Sequence, residues 1–556
     1  MTGSSYQNVG KAETIFAAFE NAAERFADEI ALKGAGGKGL IMTYAQVADR
    51  AKRLAAGLQT PEFQDIHEIG LLSENRPEWS IAYLGIIGSG RTVVPIDANL
   101  RPNEMEAIVG HARLGAIFVS ARFEPVVNNF ERDLRVFSFD ADNERNWAKL
   151  DGNPVDHTSI GSRESTAALI YTSGTTGAPK AVLLTHGNIL TNLADIQAAI
   201  VFDEKDAFLS LLPLHHTFEA TCGMLTPLTN GCTIVYARSL KSREIMEDLA
   251  ANRITVMVGV PLLYEKIYQS MHRKIMASSA LKRTMFKSLF AASAAGWKLK
   301  RKWGKKLFAG LRKKAGMTEI RLFVSGAAAM PPHIARFFTL LGFDFLQGYG
   351  MTETSPVLTC NRPDDIRFGS VGRPLDSVEV KIDNPDESGT GEILVRGGNC
   401  TQGYKNNPEQ TAALIRDGWL HTGDLGCFKD DHLWITGRAK NVIVSAAGKN
   451  IYPEEIEERL MASDYILESI VFGRKRDGRQ GEDVRALVVP DLEQLRTEFG
   501  IDPANPDRAR IEEIVKQAVS AVNTEIAEYK RISGFEVQLH ELEKTSTKKV
   551  KRFIYS

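Results

Sequence analysis

The sequence predicts an α/β protein in two parts: a large N-terminal domain of stacked α/β layers with a β-rich subdomain, residues 1–437, and a small mobile α+β domain, residues 438–556. Three observations predict it. A chain of 556 residues exceeds what one hydrophobic core organises. Strand-type and helix-type patterns alternate from residue 12 to Val260 and resume at Arg321, as α/β layering requires. The pattern then changes near Gly437-Arg-Ala-Lys440, after a turn-rich, β-like stretch from Glu392 to Trp434.

Taken in order, Ile15-Phe-Ala-Ala-Phe19 suits a helix and Glu68-Ile-Gly-Leu-Leu72 a strand. Ile81-Ala-Tyr-Leu-Gly-Ile-Ile87 is apolar enough for a buried helix, and Thr92-Val-Val-Pro95 for a strand. Apolar runs Ala167–Ile170 and Ala181–Leu184 read as two strands around a polar loop. Leu322-Phe-Val324 is a strand, and Met330-Pro-Pro332 opens a helix because proline suits a first turn. Beyond the break come Val442-Ile-Val444, a helix at Pro453–Leu460, strands at Ser469–Phe472 and Ala486–Val489, a helix near Ile511–Tyr529 and a basic end.

Composition narrows the function classes. With 43% hydrophobic and 25% charged residues the chain is of ordinary globular type. A net charge of −1 exerts no overall pull on nucleic acid, and none is expected as a partner. The five cysteines include no CxxC pair, which argues for a reducing compartment without structural zinc. Met1–Lys11 is polar, unlike a signal peptide, and no uncharged apolar run is long enough to span a bilayer; a cytoplasmic protein is expected.

One charge run stands out. Residues 271–318 hold fourteen Lys/Arg and no Asp or Glu. Leu299, Trp303, Leu307 and Leu311 fall four apart, as on one face of a helix, with basic residues between them. Two readings stand side by side: peripheral contact with an anionic membrane surface, or a solvated helix docked on the body by that stripe.

The densest chemistry lies in Tyr171-Thr-Ser-Gly-Thr-Thr-Gly-Ala-Pro-Lys180. Thr172, Ser173, Thr175 and Thr176 offer hydroxyls, Gly174 and Gly177 let backbone N–H groups approach an anion, and Lys180 adds a point charge. It is not a Walker loop, because no Gly-Lys-Ser/Thr opens a helix. A nucleotide polyphosphate is the expected ligand. In Gln347-Gly348-Tyr349-Gly350-Met-Thr352-Glu353, Tyr349 can stack on a base, Thr352 can bond a phosphate and Glu353 can hold Mg²⁺. Gly326 and Ala327 lie in a turn small enough for a flat ring or acyl chain. Asp424 suits two ribose hydroxyls, or else closes an Asx-turn, and Arg438 can reach the same sugar. Of His215 and His216, either is more often a satisfied structural histidine than a site residue.

Together these residues resemble the adenylate-forming (AMP-binding) superfamily, which includes acyl-CoA synthetases, luciferases and peptide-synthetase adenylation domains, and within it the long-chain fatty acid–CoA ligases. The resemblance runs from about residue 15 to 552 and makes residues 1–437 an adenylation domain. It implies ATP, Mg²⁺ and coenzyme A as cofactors and a fatty acid as substrate. It places His216 at a recurrent aromatic/His position, Glu353 and Thr172 on the metal, Lys549 as the lysine of the first half-reaction with Lys548 as competitor, Lys440 at the hinge, and the turn with Gly448 and Lys449 at the thiol step. Ala181 stands where Gly is common, and Lys440 where Asp is. An acyl-adenylate ligase loading a carrier protein, and a nucleotide-binding regulatory protein on the same fold, are the alternatives.

Overall fold

A computed structural model of the chain describes residues 9–36, 40–154, 160–172, 180–445, 449–475, 481–544 and 550–555. Contacts divide it into two compact units: Met1–Val380 with Val395–Leu420, and Lys381–Leu394 with His421–Ser556.

Two mainly parallel sheets build the first unit. One has nine strands in the order Arg373–Pro374, Val357–Cys360, Asp344–Gly350, Leu322–Ser325, Val256–Gly259, Ala207–Ser210, Thr233–Tyr236, Ile30–Gly34, Ile41–Thr43. The other has six: Arg135–Ser138, Ala116–Val119, Glu68–Leu72, Thr92–Pro95, Thr166–Thr172, Lys180–Thr185. The inner strands of both are parallel, and the antiparallel ones lie at the edges. Helix Pro77–Gly88 packs on strands of both sheets and buries every residue but Glu78, which is why its sequence is apolar all round. Helices Ile15–Arg25 and Tyr44–Leu58 share that core, each opened by a threonine, Thr14 or Thr43, whose hydroxyl accepts a first-turn N–H. A second core on the nine-stranded sheet takes in Pro261–Met276 and Pro332–Leu340, the latter opened by its proline as expected.

The basic segment departs from its expected form. Helix Ala280–Lys298 stops where Lys300 turns left-handed (φ 55°) and the Arg301 N–H reaches back to the Gly296 carbonyl, 2.8 Å away. Short helices Gly304–Leu307 and Ala309–Lys314 follow. The break has a steric cause: a Cβ on Gly304 would lie 2.3 Å from the Leu340 carbonyl oxygen, so the backbone is pressed against the neighbouring helix end and re-aimed there. The four-residue stripe is therefore split. Leu307 and Leu311 pack on the second core, whereas Leu299 and Trp303 stay exposed. Nor is every cation on the surface. Arg312 is buried, donates to the carbonyls of Gly342 (2.7 Å) and Ile320, and lies 4.0 Å over the Phe343 ring; burial lowers its pKa to about 10. Among the described residues no helix is long and apolar enough to cross a membrane.

In the second unit, Ile466–Lys475, Glu482–Pro490 and Gly534–Val537 form a sheet covered by Pro453–Met461 and Arg508–Glu525 over a Val/Ile/Leu core. The hairpin Trp419–Lys429/His432–Arg438 contributes from its His421 end onward. Lys440 sits in the 3₁₀ turn Ala439–Asn441. The C-terminal residues are tied down by Arg552, which pairs with buried Glu457 and donates to the Val471 carbonyl at 3.2 Å.

Candidate active site

In an open parallel sheet the loops beyond the carboxyl ends of the strands are free to bind ligands. Most of the expected residues in the first unit lie there. His215 and His216 follow Ala207–Ser210, Gly326 and Ala327 follow Leu322–Ser325, and Gln347–Gly350 ends its strand just before Thr352 and Glu353 in a 3₁₀ turn. Thr172 and Lys180 face each other across the mouth of a hairpin of the second sheet. Ser173, Gly174, Thr175, Thr176 and Gly177 fall outside the described residues.

Glu353 is buried, and its Oε1 accepts the Tyr404 hydroxyl at 2.8 Å. Lys180 Nζ sits 5.5 Å from the centre of the same tyrosine ring. Tyr404 thus joins the cation of the hairpin to the carboxylate of the neighbouring turn. Burial first, and the Glu353 charge second, hold the phenol pKa well above its usual range, so it donates rather than ionises. The backbone reinforces the arrangement. Thr401 N donates to the Glu353 carbonyl (2.7 Å), Leu183 N to the Gly403 carbonyl (3.0 Å) and Lys405 N to the Ala181 carbonyl (2.9 Å). Residues 401–405 are therefore a strap between the turn and the hairpin strand. Sequence inspection missed Tyr404; the Gly403-Tyr404 pair after an apolar strand was its only local signal.

The small-residue turn is small for a reason. A Cβ on Gly326 would meet the Phe218 ring at 2.9 Å, and Ala327 holds a left-handed φ of 69°. Gly350 is pressed harder still, with a Cβ position 1.8 Å from the Pro356 carbonyl. Tyr349 and Thr352 are half-buried and Gln347 is buried.

His215 is buried and His216 half-buried, with their Nε2 atoms 3.1 Å apart. Asp97, beyond the strand Thr92–Pro95, places Oδ1 3.3 Å from His215 Nε2. Asn75 holds this turn: its Oδ1 accepts Leu214 N (3.0 Å), and its Nδ2 donates to the Leu212 carbonyl (2.6 Å) and to Ser210 Oγ (3.0 Å). Ser210 in turn donates to Glu219 Oε1 at 2.8 Å. Glu219 opens a π-helical turn, Glu219–Leu225, and its carboxyl fills the space a side chain at Gly223 would need. Burial raises its pKa to about 8, and its Oε2 has no hydrogen-bond partner among the described residues.

In the second unit, Asp424 and Arg438 face each other across the hairpin, and Arg438 Nε donates to Asp424 Oδ1 at 2.5 Å. The structure thus brings together the two residues expected at one sugar. Asp424 N also donates to Thr422 Oγ1 at 3.1 Å. Lys449 Nζ lies 4.8 Å over the Tyr529 ring. Gly448, Lys548 and Lys549 lie outside the described residues, but Lys544 and Val550 on either side of the lysines pair as an antiparallel bridge.

The profile of the AMP-binding enzyme family matches residues 19–405, and that of the AMP-binding enzyme C-terminal domain matches residues 455–549. Peroxisomal long chain acyl-CoA synthetase 7 of Arabidopsis thaliana is 31% identical over 468 residues, 78% of this chain and 66% of that protein. Its peroxisomal long chain acyl-CoA synthetase 6 is 30% identical over 82% of this chain and 70% of its own length. A chloroplastic long-chain-fatty-acid–[acyl-carrier-protein] ligase from the same plant is 28% identical over 87% and 77%. Among solved structures, ATP-bound MatB of Rhodopseudomonas palustris has the same fold, with a TM-score of 0.77 at 24% identity over 97% of each chain. So does the Bacillus subtilis o-succinylbenzoate CoA synthetase with its acyl-adenylate intermediate, at 0.76 and 22% over 96% and 97%.

The state of Glu219 is open to test. Its folded pKa is raised, so its contribution is intact below the unfolded value near 4.5 and is lost as pH rises towards about 8. Glu219→Gln keeps the shape and cannot ionise. Denaturant unfolding of both proteins at about pH 5 and about pH 8.5 should show the wild type losing more stability than the variant over that interval. Parallel losses would mean that Glu219 is ionised in the folded protein.

Proposed function

The chain belongs to the AMP-binding enzyme family, and we propose that its reaction is the ATP-dependent activation of a medium- or long-chain fatty acid followed by acyl transfer to coenzyme A. A carboxylate oxygen attacks the α-phosphorus, the bond to pyrophosphate breaks, and the thiol sulfur then displaces AMP from the acyl carbon. The observation that carries the adenylation reading is the Lys180–Tyr404–Glu353 arrangement, which joins the hairpin of the six-stranded sheet to the turn after a strand of the nine-stranded sheet. The long-chain acyl-CoA synthetases among the relatives support the fatty acid and CoA.

The difficulty of the first step is that an anion attacks an anion. Lys180 and the hydroxyl of Thr172, at the mouth of the hairpin, supply positive charge and hydrogen-bond donation to a polyphosphate. Glu353 and Thr172 are hard oxygen donors of the kind Mg²⁺ takes, and the buried Glu353 carboxylate accepts a hydrogen bond from the Tyr404 phenol. Magnesium when bound neutralises phosphate charge. Asp424 with Arg438 is assigned to the ribose, Lys549 to the first half-reaction, Lys449 with Gly448 to the second, and Lys440 to a hinge between them.

The basic segment supports peripheral attachment to an anionic lipid surface, but through a different patch from the expected stripe. Leu281 and Met285, one helical turn apart, are 81% and 57% exposed, next to exposed Lys282 and Lys287.

Pyrophosphate release from Mg-ATP should depend on added fatty acid, and mass analysis should find acyl-CoA when CoA is present. Acyl-adenylate that is transferred only to an acyl carrier protein would favour the acceptor of the chloroplastic relative instead. In the same assay Lys549→Ala should abolish adenylation yet spare thioester formation from supplied acyl-adenylate; equal loss of both would remove Lys549 from its role. Tyr404→Phe keeps the ring beneath Lys180 but deletes the donor to Glu353, so kcat/KM should fall on the order of 10–100-fold. An unchanged rate would show that Glu353 needs no support from the phenol. For the lipid patch, the triple change Leu281→Asp, Lys282→Glu, Lys287→Glu should abolish co-sedimentation with vesicles containing phosphatidylglycerol, and persistence of co-sedimentation would rule the patch out.

A further inference from the structure

We propose that Asp97, His215 and His216 form a site for a zinc-type divalent cation, distinct from the magnesium ligands, and that its occupancy inhibits the enzyme. One potential ligand atom from each of the three side chains falls within 4.8 Å of the others. Two separations are measured from a single atom: His215 Nε2 lies 3.1 Å from His216 Nε2 and 3.3 Å from Asp97 Oδ1. Ligands about 2.0–2.1 Å from a tetrahedral zinc ion stand about 3.3–3.4 Å from one another; the carboxylate separation matches such an edge and the imidazole pair stands slightly closer.

The pattern differs from a proton relay. A relay through an imidazole enters at one ring nitrogen and leaves at the other, as when a carboxylate orients a histidine through Nδ1 and leaves Nε2 to work. Here one nitrogen of His215 faces both neighbours. It carries at most one hydrogen, so it cannot donate to both the carboxylate oxygen and the second imidazole nitrogen. A cation among the three satisfies all of them at once.

The donors are also held in place beforehand. Asn99 donates to Asp97 Oδ1 through its backbone N–H (2.8 Å) and its side chain (3.1 Å), fixing the carboxylate. Asn75 and Ser210 fix the turn that carries the histidines, as described above. Two imidazoles and one carboxylate suit Zn²⁺ and its first-row neighbours, whereas Mg²⁺ takes oxygen donors. Three protein ligands leave a coordination position open. The carboxylate of an acid substrate is a ligand of the right charge for it, and an oxygen bound there is a poorer nucleophile. That inhibitory consequence rests on the function proposed above; the binding itself rests on geometry alone.

The binding test uses the full chain with Co²⁺ alone, without nucleotide, acid or CoA. One equivalent should produce the visible d–d absorption of a low-coordinate His/carboxylate site, and one equivalent of Zn²⁺ should remove it. Asp97→Asn, nearly isosteric, and His215→Ala should each weaken the affinity at least about tenfold. No saturable absorption at one equivalent, or unchanged affinity in Asp97→Asn, overturns the site. With acid-dependent pyrophosphate release as readout, Zn²⁺ should inhibit the wild type at a concentration that excess Mg²⁺ does not shift, and Asp97→Asn should be less sensitive. Inhibition relieved in proportion to Mg²⁺ would place the zinc on the nucleotide instead and overturn the inhibitory role. A failure of cobalt binding is a failure of the site, whereas absence of acid-dependent turnover with Mg-ATP and no added Zn²⁺ or Co²⁺ is a failure of the function.

Discussion

The first unit depends on how it holds the buried Glu353 carboxyl group through the Tyr404 hydroxyl. A direct Arg or Lys partner would satisfy it and also neutralise it, leaving little for a metal ion to find. Tyr404 satisfies one oxygen with a neutral donor while its ring face takes the Lys180 ammonium. The phenol thus contacts both Lys180 and Glu353, its ring facing the one and its hydroxyl the other. Everything around it serves that arrangement: the strap at residues 401–405 bonds at one end to the turn carrying Glu353 and along its length to the strand Lys180–Thr185.

A similar economy appears under the histidine turn. Asn75, Ser210 and buried Glu219 form a chain in which each member orients the next, and burial raises the Glu219 pKa to about 8. Turns at the open end of a sheet have few neighbours to hold them, so their shape must come from polar contacts beneath. The buried carboxyl of Glu219 accepts from Ser210, its other oxygen has no partner among the described residues, and Gly223 gives it room.

Much of this was legible in the sequence, and its limits have physical causes. Strands Glu68–Leu72 and Thr92–Pro95 match their expected bounds, and helices Pro332–Leu340 and Pro453–Met461 start at their prolines, because alternation, burial and backbone sterics are local. The Ile81–Ile87 part of helix Pro77–Gly88 was legible because a helix apolar on every side must be buried. The basic stripe misled because the periodicity of Leu299 to Leu311 says nothing of Gly304, whose fate is decided by the backbone of Leu340. Tyr404 and Asp97 were invisible for a related reason. Each earns its place through a partner far along the chain, Glu353 for one and His215 for the other, and no local pattern reports such pairings.

The segment Lys381–Leu394 belongs with His421–Ser556 and not with the residues on either side of it. Its ties are specific: the Ile393 carbonyl accepts Thr422 Oγ1 at 2.8 Å, and Tyr452 donates to Asp386 at 3.1 Å. The chain therefore crosses between the two units three times rather than once. Neither unit can be encoded by one uninterrupted stretch of gene, so exchange of the C-terminal unit between relatives by a single crossover near residue 420 would graft a body lacking Lys381–Leu394. Recombination that preserves the fold must move Lys381–Leu394 as well, which ties the inheritance of the two units together.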